Sequence, residues 1–341
     1  MTEYCNSKCK APFNNMYFTI HGKVAPCWLQ VGALDNWSKD KSINDIWFGD
    51  KYNQIRKDLE GGVYKNKCLT CKKDMDDNVW PLAKAYDQFS VKKYPTLIEI
   101  ELSNQCNLEC VMCSGELSSG IRKNREKLPP LPQVYDESFN EQLREYIPHL
   151  EELRINGGEP FAQKIVLDLC DIVAQIKPSL KVNIATNGTV YNKRVQHILD
   201  SNNVHINISV DSLIKQRYEE IRINGDFDVL MKNIKTFHNY VKANDRKMCI
   251  MVNPMRNNWD EMLNFVKFCD DLNINLWYNT IRYPAHLAIW NLGSDKLLEI
   301  YNTLNDNLQS YTTKSYNRSV ADHLINKQIK TWLLDSYTNE S

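Results

Sequence analysis

Apolar and polar positions follow two different regimes along this chain, and the change falls near residue 96. Beyond it, short apolar runs with period two alternate with longer stretches whose apolar residues recur three and four apart. The runs 96–102, 152–156, 181–186, 204–210, 247–253 and 274–280 predict strands. The stretches 136–147, 163–176, 192–201, 228–243 and 259–272 predict helices between them. Strands separated by helices imply parallel pairing, because each crossover needs room for a helix. Right-handed crossovers roll such a sheet toward a barrel. Two further helices are predicted near 294–308 and 319–334.

Before residue 96 the periodicity is weak. Tyr17-Phe-Thr-Ile20 is strand-like, and a hairpin is expected to turn at His21-Gly22-Lys23. A small segment rich in Cys, Gly and Trp with so little apolar patterning usually needs a metal to hold it. The expected organisation is a cysteine-rich domain over 1–75, a connector over 76–95, an α/β core over 96–285 and a helical extension over 286–341.

Composition narrows the function classes. Lys+Arg and Asp+Glu are equal at 42 each, so the formal net charge is zero and no overall basic field exists to hold a nucleic acid. The N-terminal residues lack an apolar signal region and no run is long enough to span a bilayer, so the expectation is a cytoplasmic protein without membrane partners. In that setting eleven cysteines point to metal ligation rather than disulfides.

The cysteines carry the sharpest signal. Cys106, Cys110 and Cys113 form C-x3-C-x2-C on a loop that leaves the predicted strand Leu97–Leu102. Three thiolates give a cubane iron–sulfur cluster all but one of its ligands, and an open metal position is what chemistry needs. At the end of the next predicted strand stands Gly157-Gly158-Glu159-Pro160, where two residues without a Cβ allow the backbone to approach a ligand closely. Together the two motifs resemble the radical S-adenosylmethionine (radical SAM) superfamily. Met112 departs from the aromatic residue usual before the third cysteine.

The resemblance implies an α/β fold built as a partial (βα)6 TIM-like barrel, with the site at the strands' C-terminal ends. It also implies roles for residues after successive strands. Gly157, Gly158 and Glu159 would hold the amino group of SAM. Asn187 follows the third strand, although Thr-Asn-Gly is also a common turn. Ser209 and Asp211 are similar to the family's S-x-D element near the SAM ribose and carboxylate, with a helix cap as the other reading of Asp211. Arg222 stands where relatives place an Arg on the SAM carboxylate, with a solvated helix surface as its other reading. Tyr278 and Asn279 are weaker candidates for lining the adenine or substrate side.

Cys9, Cys27, Cys68 and Cys71 form a second set, the last two as a C-x2-C knuckle. Four thiolates suit a closed [4Fe–4S] cluster or a structural zinc, and spacing does not separate them. With Pro12-Phe13, Ile46-Trp47 and Arg56 between them, the pattern is similar to SPASM/twitch auxiliary domains, which implies one extra [4Fe–4S] cluster. Such domains mostly follow the core; here the pattern precedes it. Cys5 is a spare that stands four residues before Cys9. Cys170, Cys249 and Cys269 lie on predicted apolar faces and read as small hydrophobes.

The resemblance therefore implies a radical SAM enzyme that reductively cleaves SAM at its [4Fe–4S] cluster and removes a substrate hydrogen atom through the resulting 5′-deoxyadenosyl radical. A ferredoxin or flavodoxin would supply the electron. A peptide or protein is the expected substrate. The alternatives are a radical SAM enzyme acting on RNA or a sugar-like small molecule, and a non-catalytic protein whose cysteines bind structural zinc or iron–sulfur.

Overall fold

The computed structural model describes residues 8–30, 34–77 and 81–340. The chain divides into two compact units, each drawn from separate segments. One comprises 1–106, 128–184 and 192–204, and the other 107–127, 185–191 and 205–341.

The first unit begins with the expected hairpin. Strands β1 (Asn15–Phe18) and β2 (Lys23–Ala25) pair antiparallel, with Tyr17 opposite Ala25, and β3 (Asp35–Asn36) adds to β2. Gly22 makes the turn at φ +75, a left-handed conformation that favours glycine. The other edge of β1 pairs in parallel with β4 (Leu97–Glu101), so the cysteine-rich segment shares a sheet with the first core strand. Strands β5 (Glu152–Asn156) and β6 (Lys181–Thr186) continue it in parallel. The helices Glu137–Tyr146 and Lys164–Ile176 supply the intervening connections.

Strand β7 (Asn203–Ser209) starts at the end of the first unit's last segment and runs on into the second, where β7, β8 (Met248–Val252) and β9 (Asn275–Tyr278) are again parallel. They are joined through Phe227–Ala243 and Met262–Leu272. Every core strand thus falls on an expected run, and the fold class is the expected α/β one with a parallel sheet. Alternation explains the fit: Val204, Ile206 and Ile208 on β7 are fully buried while the residues between them are half-buried.

The C-terminal residues form helices at Ser294–Ser310, Tyr316–His323 and Lys330–Glu340, the last two joined by a π-helical turn over Leu324–Ile329. Asn317 links them to β9. Its Oδ1 accepts from Leu276 N at 2.8 Å, and its Nδ2 donates to Ile274 O at 2.8 Å.

Between the hairpin and β4, where the sequence offers only weak patterning, the structure has helices at Asp50–Glu60 and Cys68–Asp76. Only Tyr52 and Leu59 of the first are buried, a spacing of two turns. Two apolar anchors in eleven residues do not produce a legible stripe.

Candidate functional site

The loop after β4 carries Cys106, Cys110 and Cys113. Its middle is locked in register by two backbone hydrogen bonds, from Glu109 N to Ile223 O at 3.0 Å and from Val111 N to Ile221 O at 2.9 Å. Those bonds straddle Cys110 on one strand of chain and Arg222 on the other. Cys113 N donates to Cys110 O at 3.0 Å, and Arg125 Nη2 donates to the same carbonyl at 3.0 Å. Cys110 is buried, and Cys106 and Cys113 are half-buried. Burial pushes the Cys113 thiol up to about 11, with the Cys110 sulfur adding to the shift and Arg222 opposing it.

The start of the same loop is held by the glycine turn. Gly157 and Gly158 have φ of +80 and +54, conformations that favour glycine. A Cβ on Gly158 would stand 2.4 Å from the carbonyl oxygen of Gln105, and one on Gly157 would stand 2.8 Å from Glu101 Cβ. Glu159 N donates to Gln105 O at 2.8 Å. Gln163 Nε2 bridges Gly157 O at 2.8 Å and Ser103 O at 3.1 Å. The close approach that the glycines permit is therefore to the cysteine loop itself. Glu159 is fully buried, and its Oε1 accepts from Phe161 N at 3.0 Å, capping the short helix Pro160–Ala162.

Asn187 is also tied to the loop. Its Nδ2 donates to Oδ1 of Asn107 at 2.8 Å, and its Oδ1 accepts from Thr189 N at 2.9 Å, so the turn reading and the loop contact hold together. Ser209 ends β7 half-buried. Asp211, two residues on, has φ +67 and is fully buried, so the strand's alternation does not carry through to it. Its Oδ1 accepts from Asn253 N at 2.7 Å and Asn253 Nδ2 at 3.0 Å, and its Oδ2 accepts from Arg222 Nη2 at 2.6 Å.

Arg222 is 5% exposed, so a solvated helix surface is excluded. It follows the helix Lys215–Ile221, and its Nη1 donates to the Cys110 sulfur at 3.8 Å. Burial is the largest influence and opposes its charge, but Asp211, Cys110 and Tyr218 together outweigh it and hold the pKa above the ordinary value. Tyr278 is buried, and its hydroxyl donates to Met262 O at 2.5 Å, while Asn279 is half-buried. Asn107, Asn253 and Asn258 are the polar residues that sequence reasoning missed. Asn258 Nδ2 donates to Asp211 O at 2.7 Å and is visible only through these long-range contacts.

In the first unit Cys9, Cys27, Cys68 and Cys71 line one nest together with Leu29, Leu82, Ala83 and Tyr86. Cys68 and Cys71 stand three apart in the helix Cys68–Asp76, on one face. Burial pushes the Cys9 thiol well above its ordinary value, and the sulfurs of Cys27, Cys71 and Cys68 each add to the shift. Backbone amide donors at Ala11 and Ala83 act the other way on Cys9 and Cys71. The four thiols are the ligand type a closed cluster takes, although among the described residues no three or more ligand side chains already stand disposed around a metal position. Arg56 lies outside the lining of the nest. It donates to Pro12 O at 2.8 Å and to Trp47 O at 2.9 Å and lies 4.2 Å from the Trp47 ring centroid. Cys5 lies outside the described residues. Cys170 and Cys269 are buried, and Cys249 is half-buried with its thiol pushed up to about 12 by burial.

Residues 100–269 match the radical SAM superfamily, and residues 9–72 match SPASM, an iron–sulfur cluster-binding domain. The chain is 28% identical over 203 residues to the mitochondrial GTP 3′,8-cyclase of Arabidopsis thaliana, covering 58% of this chain and 48% of that protein. It is 27% identical over 200 residues to the GTP 3′,8-cyclase of Limosilactobacillus fermentum, covering 57% and 56%. The chain spans about half the length of the curated relatives it matches. A solved structure of Streptococcus suis SuiB bound to S-adenosylmethionine is similar with a TM-score of 0.48 and 15% identity, covering 79% of this chain and 61% of that one. Among the described residues no helix is long and apolar enough to cross a membrane. The SPASM match begins at Cys9 and ends one residue past Cys71, and the three-thiol loop falls inside the other match. The chain belongs to the radical SAM superfamily, whose core implies SAM and a [4Fe–4S] cluster, and it carries a SPASM domain that implies an auxiliary cluster.

Proposed function

We propose that this chain binds SAM at a [4Fe–4S] cluster held by Cys106, Cys110 and Cys113 and uses it to remove a hydrogen atom from a peptide or protein. When bound, the cluster and SAM supply one chemistry: one-electron reductive cleavage to methionine and a 5′-deoxyadenosyl radical, which takes the hydrogen atom. The chain's own residues bind, orient and enclose these groups. The observation that carries the reading is the three-thiol loop, clamped at one end by the Gly157-Gly158-Glu159 turn and in its middle by the Ile221–Ile223 backbone. In this reading Gly157, Gly158, Glu159, Asn187 and Ser209 are the candidate SAM contacts, and Arg222, paired with Asp211, stands at the Cys110 sulfur. Residues 1–75 hold the auxiliary [4Fe–4S] cluster through Cys9, Cys27, Cys68 and Cys71. Residues 76–95 connect it to a core over 96–285, and 286–341 form a helical extension. A ferredoxin or flavodoxin donates the electron.

The peptide assignment rests on the SPASM domain. A second reading, a nucleoside triphosphate as substrate, is favoured by the names of the curated relatives, which are GTP 3′,8-cyclases. Anaerobic incubation of the reconstituted protein with SAM and dithionite tests the common step. The expected product is 5′-deoxyadenosine, and its absence from fully loaded protein would overturn the proposal. Deuterium transfer into 5′-deoxyadenosine from perdeuterated peptides, against transfer from deuterated GTP, then decides the substrate.

A further inference from the structure

A buried guanidinium aimed at a metal-ligand sulfur is unusual enough to demand a role. Arg222 is fixed there from three sides. The bonds Glu109 N to Ile223 O and Val111 N to Ile221 O set the register that brings it level with Cys110. The bond from Nη2 to Asp211 Oδ2 at 2.6 Å anchors the other end of the guanidinium. Asp211 is in turn pinned by both nitrogens of Asn253, at 2.7 and 3.0 Å. Nη1 is left directed at the Cys110 sulfur at 3.8 Å. Nε is buried without a hydrogen-bond partner in the described structure. The Cys110 sulfur therefore meets the positive member of an ion pair whose carboxylate also acts on it, in the opposite sense and less strongly.

We propose that Arg222 is a positioning residue that donates a hydrogen bond to the Cys110 sulfur of the loaded cluster and raises its reduction potential. The inference deepens the proposed function and rests on it. One-electron reduction adds a negative charge to the cluster. A cationic donor at one of its sulfurs stabilises the reduced state more than the oxidised one. Low exposure of both partners, 8% for Cys110 and 5% for Arg222, keeps water from screening the interaction. In this arrangement one donor of each terminal nitrogen is already committed, to the Cys110 sulfur and to Asp211.

The test is an anaerobic redox titration of the full-length, cluster-loaded protein followed by EPR, with SAM affinity measured alongside. Arg222→Gln is expected to move the midpoint to a more negative potential, with SAM affinity changed by less than tenfold. That variant also leaves Asp211 buried and unpaired, which itself lowers the potential and threatens folding. The double variant Asp211→Asn/Arg222→Gln removes both charges and is expected to give a smaller shift of the same sign. Arg222→Lys keeps the charge without the planar fork and should fall between wild type and Arg222→Gln. If Arg222→Gln does not fold, the other two variants give the answer. An unchanged midpoint in Arg222→Lys and the double variant, or a SAM affinity loss above tenfold without a midpoint shift, overturns the inference. A wild-type EPR signal that SAM does not perturb would instead sink the underlying reading.

Discussion

The two cysteine sites present the same ligand chemistry in opposite settings. Cys106, Cys110 and Cys113 lie within eight residues on one loop, and the polar groups around that loop include the buried Arg222, Asp211 and Asn187 and the half-buried Asn253. Cys9, Cys27 and the Cys68–Cys71 knuckle come from three separate segments and meet among Leu29, Leu82, Ala83 and Tyr86. A ligand set on one loop is assembled locally, so its metal contributes chemistry to a scaffold folded by other contacts. A ligand set gathered from distant segments exists only when those segments are folded, so its metal is part of the folding free energy. Polarity divides them in the same way. A cationic donor at a sulfur tunes potential, whereas an apolar wall excludes water and stabilises packing.

Ligand deletion breaks that comparison most severely. Cys106→Ala, Cys110→Ala and Cys113→Ala should each reduce 5′-deoxyadenosine formation to background, while circular dichroism and thermal midpoint stay close to wild type. Cys68→Ala and Cys71→Ala should do the reverse. The thermal midpoint and soluble yield should fall, and SAM cleavage per loaded core cluster should survive in whatever protein remains folded. If knuckle variants stay fully stable but cannot cleave SAM, while Cys106→Ala still can, the two sites have exchanged roles.

A smaller effect is expected at Gly158, because it touches the loop without ligating anything. Gly158→Ala forces a side chain onto φ +54 and places a Cβ 2.4 Å from the Gln105 carbonyl oxygen. Strain of this kind costs about 1–3 kcal/mol. The measurable result is a lower urea midpoint and a weaker SAM affinity. Iron retained by the N-terminal nest should not change.

How legible these sites were follows from the range of the interactions that build them. Strand β7 was readable because period-two burial is a local property, and 204–210 differs from the observed Asn203–Ser209 by one residue at each end. The C-x3-C-x2-C run, the C-x2-C knuckle and the glycine turn were readable for the same reason, as short motifs. The place of Arg222 opposite Cys110 was not legible, since it depends on backbone pairing across more than a hundred residues. The alternation of β7 ends with Ser209, and at Asp211 the backbone turns left-handed, which no local pattern announces. The helix Asp50–Glu60 was missed because its apolar anchors are too few. Sequence pattern thus carries what neighbours along the chain decide, and loses what tertiary closure decides.

The smallest effect concerns protons in the metal-free protein and sharpens the comparison from the side of the loop. The folded state raises the Cys113 thiol from an ordinary 9.0 to about 11, chiefly by burial. A group whose pKa is raised by folding is more strongly protonated in the native state, so its stabilising contribution is complete below the unfolded value. The contribution is lost as pH climbs from about 9 through about 11, because the unfolded chain ionises first. Urea midpoints of metal-free protein should therefore decline over that window, and Cys113→Ser should make the decline shallower. Cys9, pushed higher still by burial, should keep its proton through the same window. Iodoacetamide labelling of the folded, metal-free protein at rising pH separates the two: Cys113 should react first and Cys9 last, and the opposite order would place the drier environment at the loop instead of the nest.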